Sequence, residues 1–283
     1  MDENADQIAY WNGPTGDRWA GEQVAIDLAF AAFTTKLFEC ARLRRNGRVL
    51  DVGCGCGTTT LTAAEAVGPG GAVVGVDVSA PMLARARQRS VGRPSISYVL
   101  ADAAEHGFHR TFDAIISRFG IMFFRRPAVA FARLRNALRS DGTLAFVCWR
   151  AERENDWVSV PAAVAASFVS PEPEASKDDP GPFAFADAPK VKAILDEAGF
   201  HDVAIMPFDA DVVLSEKGLD EAVRFAMTTG PTARRLKDVD DVTKAEVGAA
   251  LATRLRPLVS GTRVALRGGV WLVTGATTAS GRG

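Results

Sequence analysis

Short apolar runs alternate with amphipathic stretches along most of this chain. Val49, Leu50 and Val52 form a run too short for a helix, so a buried strand is expected there. Similar runs at 72–77, 96–100, 112–117, 143–149, 201–206 and 270–274 predict further strands. Between them, apolar residues recur at helical spacing over 59–67, 128–138 and 188–198. The first of these ends at Gly68-Pro69-Gly70-Gly71 and the last at Gly199, both good helix stops. Ser79 is a suitable N-cap and Pro81 suits a first turn, so another helix should start there. Strands alternating with helices across short turns predict a doubly wound, mostly parallel α/β sheet.

The flanks depart from this rhythm. Tyr10, Trp11 and Trp19 crowd a segment containing Gly13, Pro14 and Gly16, which reads as turn-rich. It is either a hydrophobic anchor or a flap over a ligand. Residues 24–40 read as one amphipathic helix. Beyond the fifth strand, 156–169 reads as a helix and 171–182 as a Pro/acidic connector, expected to be a mobile loop. Two helices, 219–229 and 242–258, are expected in 215–268, and 277–283 reads as a loose tail. The expected division is an aromatic flap and helix at 1–44 and a core at 45–150. A lid insertion follows at 151–187, then a core continuation at 188–214. A helical insertion at 215–268 and a last strand with tail at 269–283 complete the chain.

Composition narrows the function classes. The chain has 283 residues, 47% of them hydrophobic, enough to bury a large core. A net charge of −1 gives no bulk electrostatic case for nucleic acid or an anionic membrane. Cys40, Cys54, Cys56 and Cys148 form no disulfide framework, which suits a reducing cytosol. The N-terminus does not read as a signal peptide, and no apolar stretch is long enough to span a bilayer. The expectation is a cytoplasmic protein.

The candidate chemistry lies where the predicted strands end. Strand one runs into Gly53, Gly55 and Gly57, and a helix follows, so bare backbone and helix amides can approach a ligand. A dinucleotide turn needs Gly-x-Gly-x-x-Gly, but Thr58 or Thr60 stands at the third position, a β-branch where helix and strand must pack closely. An acid followed by Gly-x-Gly-x-Gly, as at Asp51 to Gly57, instead suits S-adenosylmethionine. Strand two ends at Asp77, placed to accept ribose hydroxyls. Strand three ends at Asp102-Ala103, placed for the adenine amine, and strand four at Ser117-Arg118. Polar groups at successive strand tips around a glycine turn describe a nucleoside pocket.

With the motifs VLDVGCGCGTTTL, VVGVDVSAPML, LADA and FDAIISRFGIMFF, the sequence resembles the class I S-adenosylmethionine-dependent methyltransferases, in particular the ubiquinone/menaquinone-biosynthesis-like small-molecule branch. The resemblance is strong over about 45–150. It implies a seven-stranded Rossmann-like sheet whose last strand is antiparallel. It also implies that Gly53 and Gly55 line the methionine and ribose portions and that Asp77 holds the ribose. Val78 and Met82 would flank adenine, Asp102 with Ala103 would bond its edge, and Ser117 and Arg118 would lie near the methionine end.

Alternatives stay open for several residues. Asp51 either fixes the turn or touches the cofactor. Cys54 lends its backbone to the cofactor; with Cys56 alone it makes a poor metal site, and no metal is expected. Arg118 either reaches the site or pairs with a structural carboxylate. Trp11 and Trp19 are either anchors or indole donors to the cofactor carboxylate. His106, in the loop after Asp102, is the candidate general base, while His201 lies at the opposite end of the sheet. Phe119, Met122, Phe123, Phe124, Trp149, Trp157, Phe183 and Phe185 favour a small apolar or aromatic methyl acceptor. The other function classes are a non-catalytic S-adenosylmethionine-binding protein and an NAD-dependent oxidoreductase.

Overall fold

A computed structural model describes residues 4–109, 111–170 and 179–278. Its strands are β1 (Arg48–Val52), β2 (Ala72–Asp77), β3 (Ile96–Leu100), β4 (Phe112–Arg118), β5 (Leu138–Trp149), β6 (His201–Ser215) and β7 (Val264–Ala276). They form one seven-stranded sheet in the order β3-β2-β1-β4-β5-β7-β6. Neighbours from β3 to β5 are parallel, and β7 runs antiparallel to both β5 and β6. The expected doubly wound, mostly parallel sheet with one antiparallel strand is therefore present. From β1 the chain builds outward through β2 to β3, then returns to place β4 on the other side of β1. This reversal opens a crevice at the carboxyl ends of β1 and β4.

The helices of the central unit are α5 (Thr58–Val67), α6 (Ala80–Arg89), α7 (Pro127–Ala137) and α9 (Ala188–Glu197). α6 starts as its sequence predicts. The Ser79 hydroxyl accepts the Met82 amide, and Pro81 sits in the first turn. Phe33, Leu37, Leu50, Ile115, Phe131 and Phe146 are fully buried in the main core.

Several expectations are corrected. The aromatic N-terminal segment is two helices, α1 (Ala5–Asn12) and α2 (Pro14–Gly21). Pro14 starts α2 instead of marking a loop. Gly16 lies inside α2 because a side chain there would strike the Trp11 carbonyl and the Ser79 hydroxyl. The helix expected over 24–40 is broken at Phe30 into α3 (Gln23–Ala29) and α4 (Ala31–Ala41). β6 and β7 are about two and a half times their expected length. Pairing with each other sustains them, even though β6 is a half-exposed edge strand containing Pro207. The helix expected over 156–169 ends earlier, as α8 (Asp156–Ala165).

The long insertion holds α10 (Leu219–Thr228), α11 (Gly230–Arg235) and α12 (Asp241–Leu255). Ala165 of α8 joins Ala226, Leu236, Val247 and Leu251 in a second small core, so both inserted segments share one packing unit. Positions 171–178 of the connector and 279–283 of the tail lie outside the described residues.

Candidate functional site

The turn after β1 is held against β2. The Gly53 and Cys54 amides both donate to the Val76 carbonyl, at 2.8 and 3.1 Å. Gly53, Gly55 and Gly57 all have positive φ, which glycine adopts without strain. A Cβ on Gly53 would lie 2.5 Å from the Gly120 Cα, so the loops after β1 and β4 touch backbone to backbone at the crevice.

Asp77 closes the turn from the other side. Its Oδ2 accepts the Gly55 amide at 2.7 Å and its Oδ1 the Ser79 amide at 2.8 Å. The side chain is only 7% exposed, and burial raises its pKa against the pull of these amides. Each oxygen keeps a further lone pair for a ligand hydroxyl. Asp51 is fully buried beneath the turn. Its Oδ2 accepts the Thr59 and Thr60 hydroxyls, both at 2.6 Å, while Oδ1 is buried without a hydrogen-bond partner. Burial pushes its pKa up to about 6 despite the threonines. Asp51 thus braces the turn instead of lining the cavity. Thr60, at a position where a dinucleotide turn needs glycine, is spent on this brace.

A cavity of about 420 Å³ lies over the crevice, within the range of small-molecule sites. Gly53, Cys54, Gly55, Asp77, Val78, Met82, Asp102, Ala103, Arg118, Trp11 and Trp19 all line it. Asp102 accepts the Ala104 amide at 2.8 Å and the Asn4 side-chain amide at 3.0 Å. Ser117 does not reach the cavity. It is buried, donates to the Val52 carbonyl at 2.7 Å and accepts the Gly120 amide at 3.3 Å, so it ties β4 to β1. His106 is exposed, its ring against Phe108 at 4.6 Å, and it is not part of the cavity wall. Phe119, Met122, Phe123, Phe124, Trp149 and Trp157 do line the wall, whereas Phe185 packs in the core on Phe131. The Cys54 thiol is buried, and burial raises its pKa. No group of three or more His, Cys, Asp or Glu among the described residues could hold a metal ion.

Arg118 faces two ways. It lines the cavity, yet its guanidinium donates to the Thr34 hydroxyl at 2.7 Å and lies 3.5 Å from Asp27. Asp27 was not foreseen. It also pairs with Arg89 at 3.0 Å and accepts the Thr58 hydroxyl at 2.5 Å and the Gln23 amide. The available signal was an acid on the apolar face that carries Ile26 and Phe30.

The N-terminal helices are stitched to the same loops. The Asn12 side chain donates to the Val78 carbonyl at 2.7 Å and accepts the Ala80 amide at 2.9 Å. The Trp11 ring packs edge-on against Tyr10, Trp19 and Phe123. Thr228, Gly230, Pro231, Ala233, Arg234 and Lys237 complete the roof from the helical insertion.

Residues 49–142 match the family model described as a methyltransferase domain. Over 135 residues the chain is 37% identical to nocamycin O-methyltransferase of Saccharothrix syringae, a match covering 45% of this chain and 47% of that one. It thus spans about half the length of that relative. Demethylmenaquinone methyltransferase of Staphylococcus aureus is 27% identical over 194 residues, 63% of this chain and 78% of that one. Among solved structures, Haemonchus contortus phosphoethanolamine N-methyltransferase 2, in complex with phosphomonomethylethanolamine and S-adenosylhomocysteine, shares the fold. Its TM-score is 0.55 at 18% identity, covering 91% of this chain and 57% of that chain. The similarity to a methyltransferase domain thus falls on residues 49–142, the part of the chain that carries the glycine turn and the strand tips at Asp77 and Asp102.

Proposed function

We propose that the chain binds S-adenosylmethionine and transfers its methyl group to a small apolar or aromatic acceptor. The observation that carries this is the buried Asp77 carboxylate, anchored by two amides and facing the cavity beside a glycine turn. The residues present fit the cofactor. Asp77 would hold the ribose hydroxyls, Val78 and Met82 would flank adenine, and Asp102 with Ala103 would bond its edge. Gly53, Cys54 and Gly55 would offer their backbone to the cofactor. Arg118, Trp11 and Trp19, which also line the cavity, would meet the methionine end. A methyl on a sulfonium is already electrophilic when bound.

The protein's contribution is then to position and exclude water. Orienting two reactants can lower a barrier by ~7–11 kcal/mol, so no side chain need form a covalent bond. Phe119, Trp149 and Trp157 give the acceptor an apolar wall, and the N-terminal helices with the helical insertion shield it from solvent. His106 belongs to this reading only as a general base brought in by movement of its loop. A cytoplasmic setting also belongs to it, supported by four free thiols. No helix of the described residues is long and apolar enough to cross a membrane.

Titration calorimetry with S-adenosylhomocysteine, followed by mass spectrometry of a phenol, quinol and amine panel, tests the proposal. Cofactor binding with methyl transfer is expected. Binding without transfer to any acceptor would favour the non-catalytic alternative, and absence of binding would overturn both.

A further inference from the structure

The cavity's charges are unevenly committed. Its acids are Asp27 from α3 and Asp77 and Asp102 at the strand ends, and each already accepts hydrogen bonds. The roof carries cations instead: Arg18 from α2, and Arg234 and Lys237 from the segment at α11. Arg18 donates to the Thr228 carbonyl at 3.1 Å, and Arg234 lies 5.9 Å from the Tyr10 ring centroid. No carboxylate among the described residues forms an ion pair with any of the three.

Neighbouring arginines show that this is not general to the segment. Arg224 binds Glu22 and Glu221, and Arg235 donates to the Ala162 carbonyl at 2.9 Å. Guanidinium and ammonium groups around an apolar cavity favour a carboxylate, sulfonate or phenolate, because charge-assisted hydrogen bonds exceed neutral ones. Close by, Tyr10, Trp11 and Phe123 offer ring edges and faces to an arene.

We infer that the methyl acceptor is an aromatic anion, its ring against these aromatic side chains and its anionic group held at the roof by Arg18, Arg234 and Lys237. This rests on the proposed function, since it names the substrate class for the same cavity.

Two fluorescent probes with the same arene frame separate charge from apolar binding: 8-anilinonaphthalene-1-sulfonate and neutral N-phenyl-1-naphthylamine. Both are titrated into protein saturated with S-adenosylhomocysteine, whose own binding is first measured by calorimetry. The sulfonate should bind about tenfold more tightly than the neutral probe. Arg234→Gln and Lys237→Gln, both at exposed positions, should each erase much of that preference and leave neutral-probe affinity unchanged. Arg18→Gln, which keeps a donor for Thr228, should do the same. Equal affinities, or a preference that survives all three variants, overturns the inference while leaving cofactor binding intact. Failure to bind S-adenosylhomocysteine overturns the functional reading and this inference with it.

Discussion

The Asp77 carboxylate accepts the Gly55 amide at 2.7 Å, joining the tip of β2 to the glycine turn after β1. One acid therefore shapes the turn and faces the cavity. Asp77→Asn should disrupt both, because its amide group would turn a donor toward either the Gly55 or the Ser79 amide. Losing hydrogen bonds to a charged group costs about 1.5–3 kcal/mol, so affinity for S-adenosylhomocysteine should fall roughly 10- to 100-fold. Calorimetry at one pH and salt concentration measures this directly. Unchanged affinity would remove Asp77 from the ribose assignment.

Asp51 makes stability pH-dependent in a direction opposite to that of most carboxylates. Burial raises its folded-state pKa to about 6, above the ordinary 3.8. Between these values the folded state keeps a proton that the unfolded state has released, so stability falls as pH rises through this window. The contribution is fully present below about pH 4 and lost above about pH 6. Its size is on the order of 3 kcal/mol. Asp51→Asn cannot titrate. Denaturation curves for both proteins from pH 4 to pH 8 should therefore diverge across the window and run parallel above it.

Much of this site was legible because strand tips are local in sequence. Val76-Asp77 and Ala101-Asp102 each end an apolar run with an acid, and a parallel sheet gathers such ends on one side. The Asp27, Arg89 and Arg118 network was not legible. Its members come from α3, α6 and β4, and only packing brings them together. The N-terminal helices were misread because Gly13, Pro14 and Gly16 carry turn propensity, which contact with Ser79 and the β2–α6 loop overrides. Ser117 was expected at the methionine end, but its alternation along β4 turns it toward Val52.

Gly120 should tolerate no side chain. Its φ is ordinary, yet a Cβ would lie 2.7 Å from both the Gly53 Cα and the Val52 carbonyl oxygen. Separating these backbones should destabilise Gly120→Ala by about 1–3 kcal/mol, lowering Tm by several degrees. Gly107→Ala is the comparison, since nothing lies within 4 Å of its Cβ position. Thermal unfolding should lower the first variant's Tm and leave the second near wild type.

Glu22 and Arg224 join the N-terminal helices to the helical insertion through two bonds, at 2.6 and 3.0 Å. Both side chains are substantially exposed, so the pair should contribute less than about 1 kcal/mol to global stability. Its effect should be local. Glu22→Gln should keep Tm near wild type while amide exchange accelerates in α2 and α10, as expected when two roof segments separate more often. Exchange that rises evenly throughout the molecule would instead mark the pair as a global stabiliser.

Phe119 combines a backbone cost with a side-chain gain. Its φ of 63° lies in the left-handed region, unusual for a bulky residue. Its ring stacks on Trp149 at 4.1 Å with planes 6° apart. The left-handed conformation costs a non-glycine residue about 1–2 kcal/mol, and the aromatic pair contributes about 0.5–1.5 kcal/mol beyond buried area. Phe119→Ala removes the stack and keeps the backbone cost, whereas Phe119→Gly removes both. The glycine variant should therefore be the more stable of the two by about 1 kcal/mol, although glycine is ordinarily the weaker residue in a fold. Urea denaturation of both variants gives the order. An alanine variant at least as stable as the glycine variant would show that this backbone stores no strain and that packing on Trp149 alone decides the position.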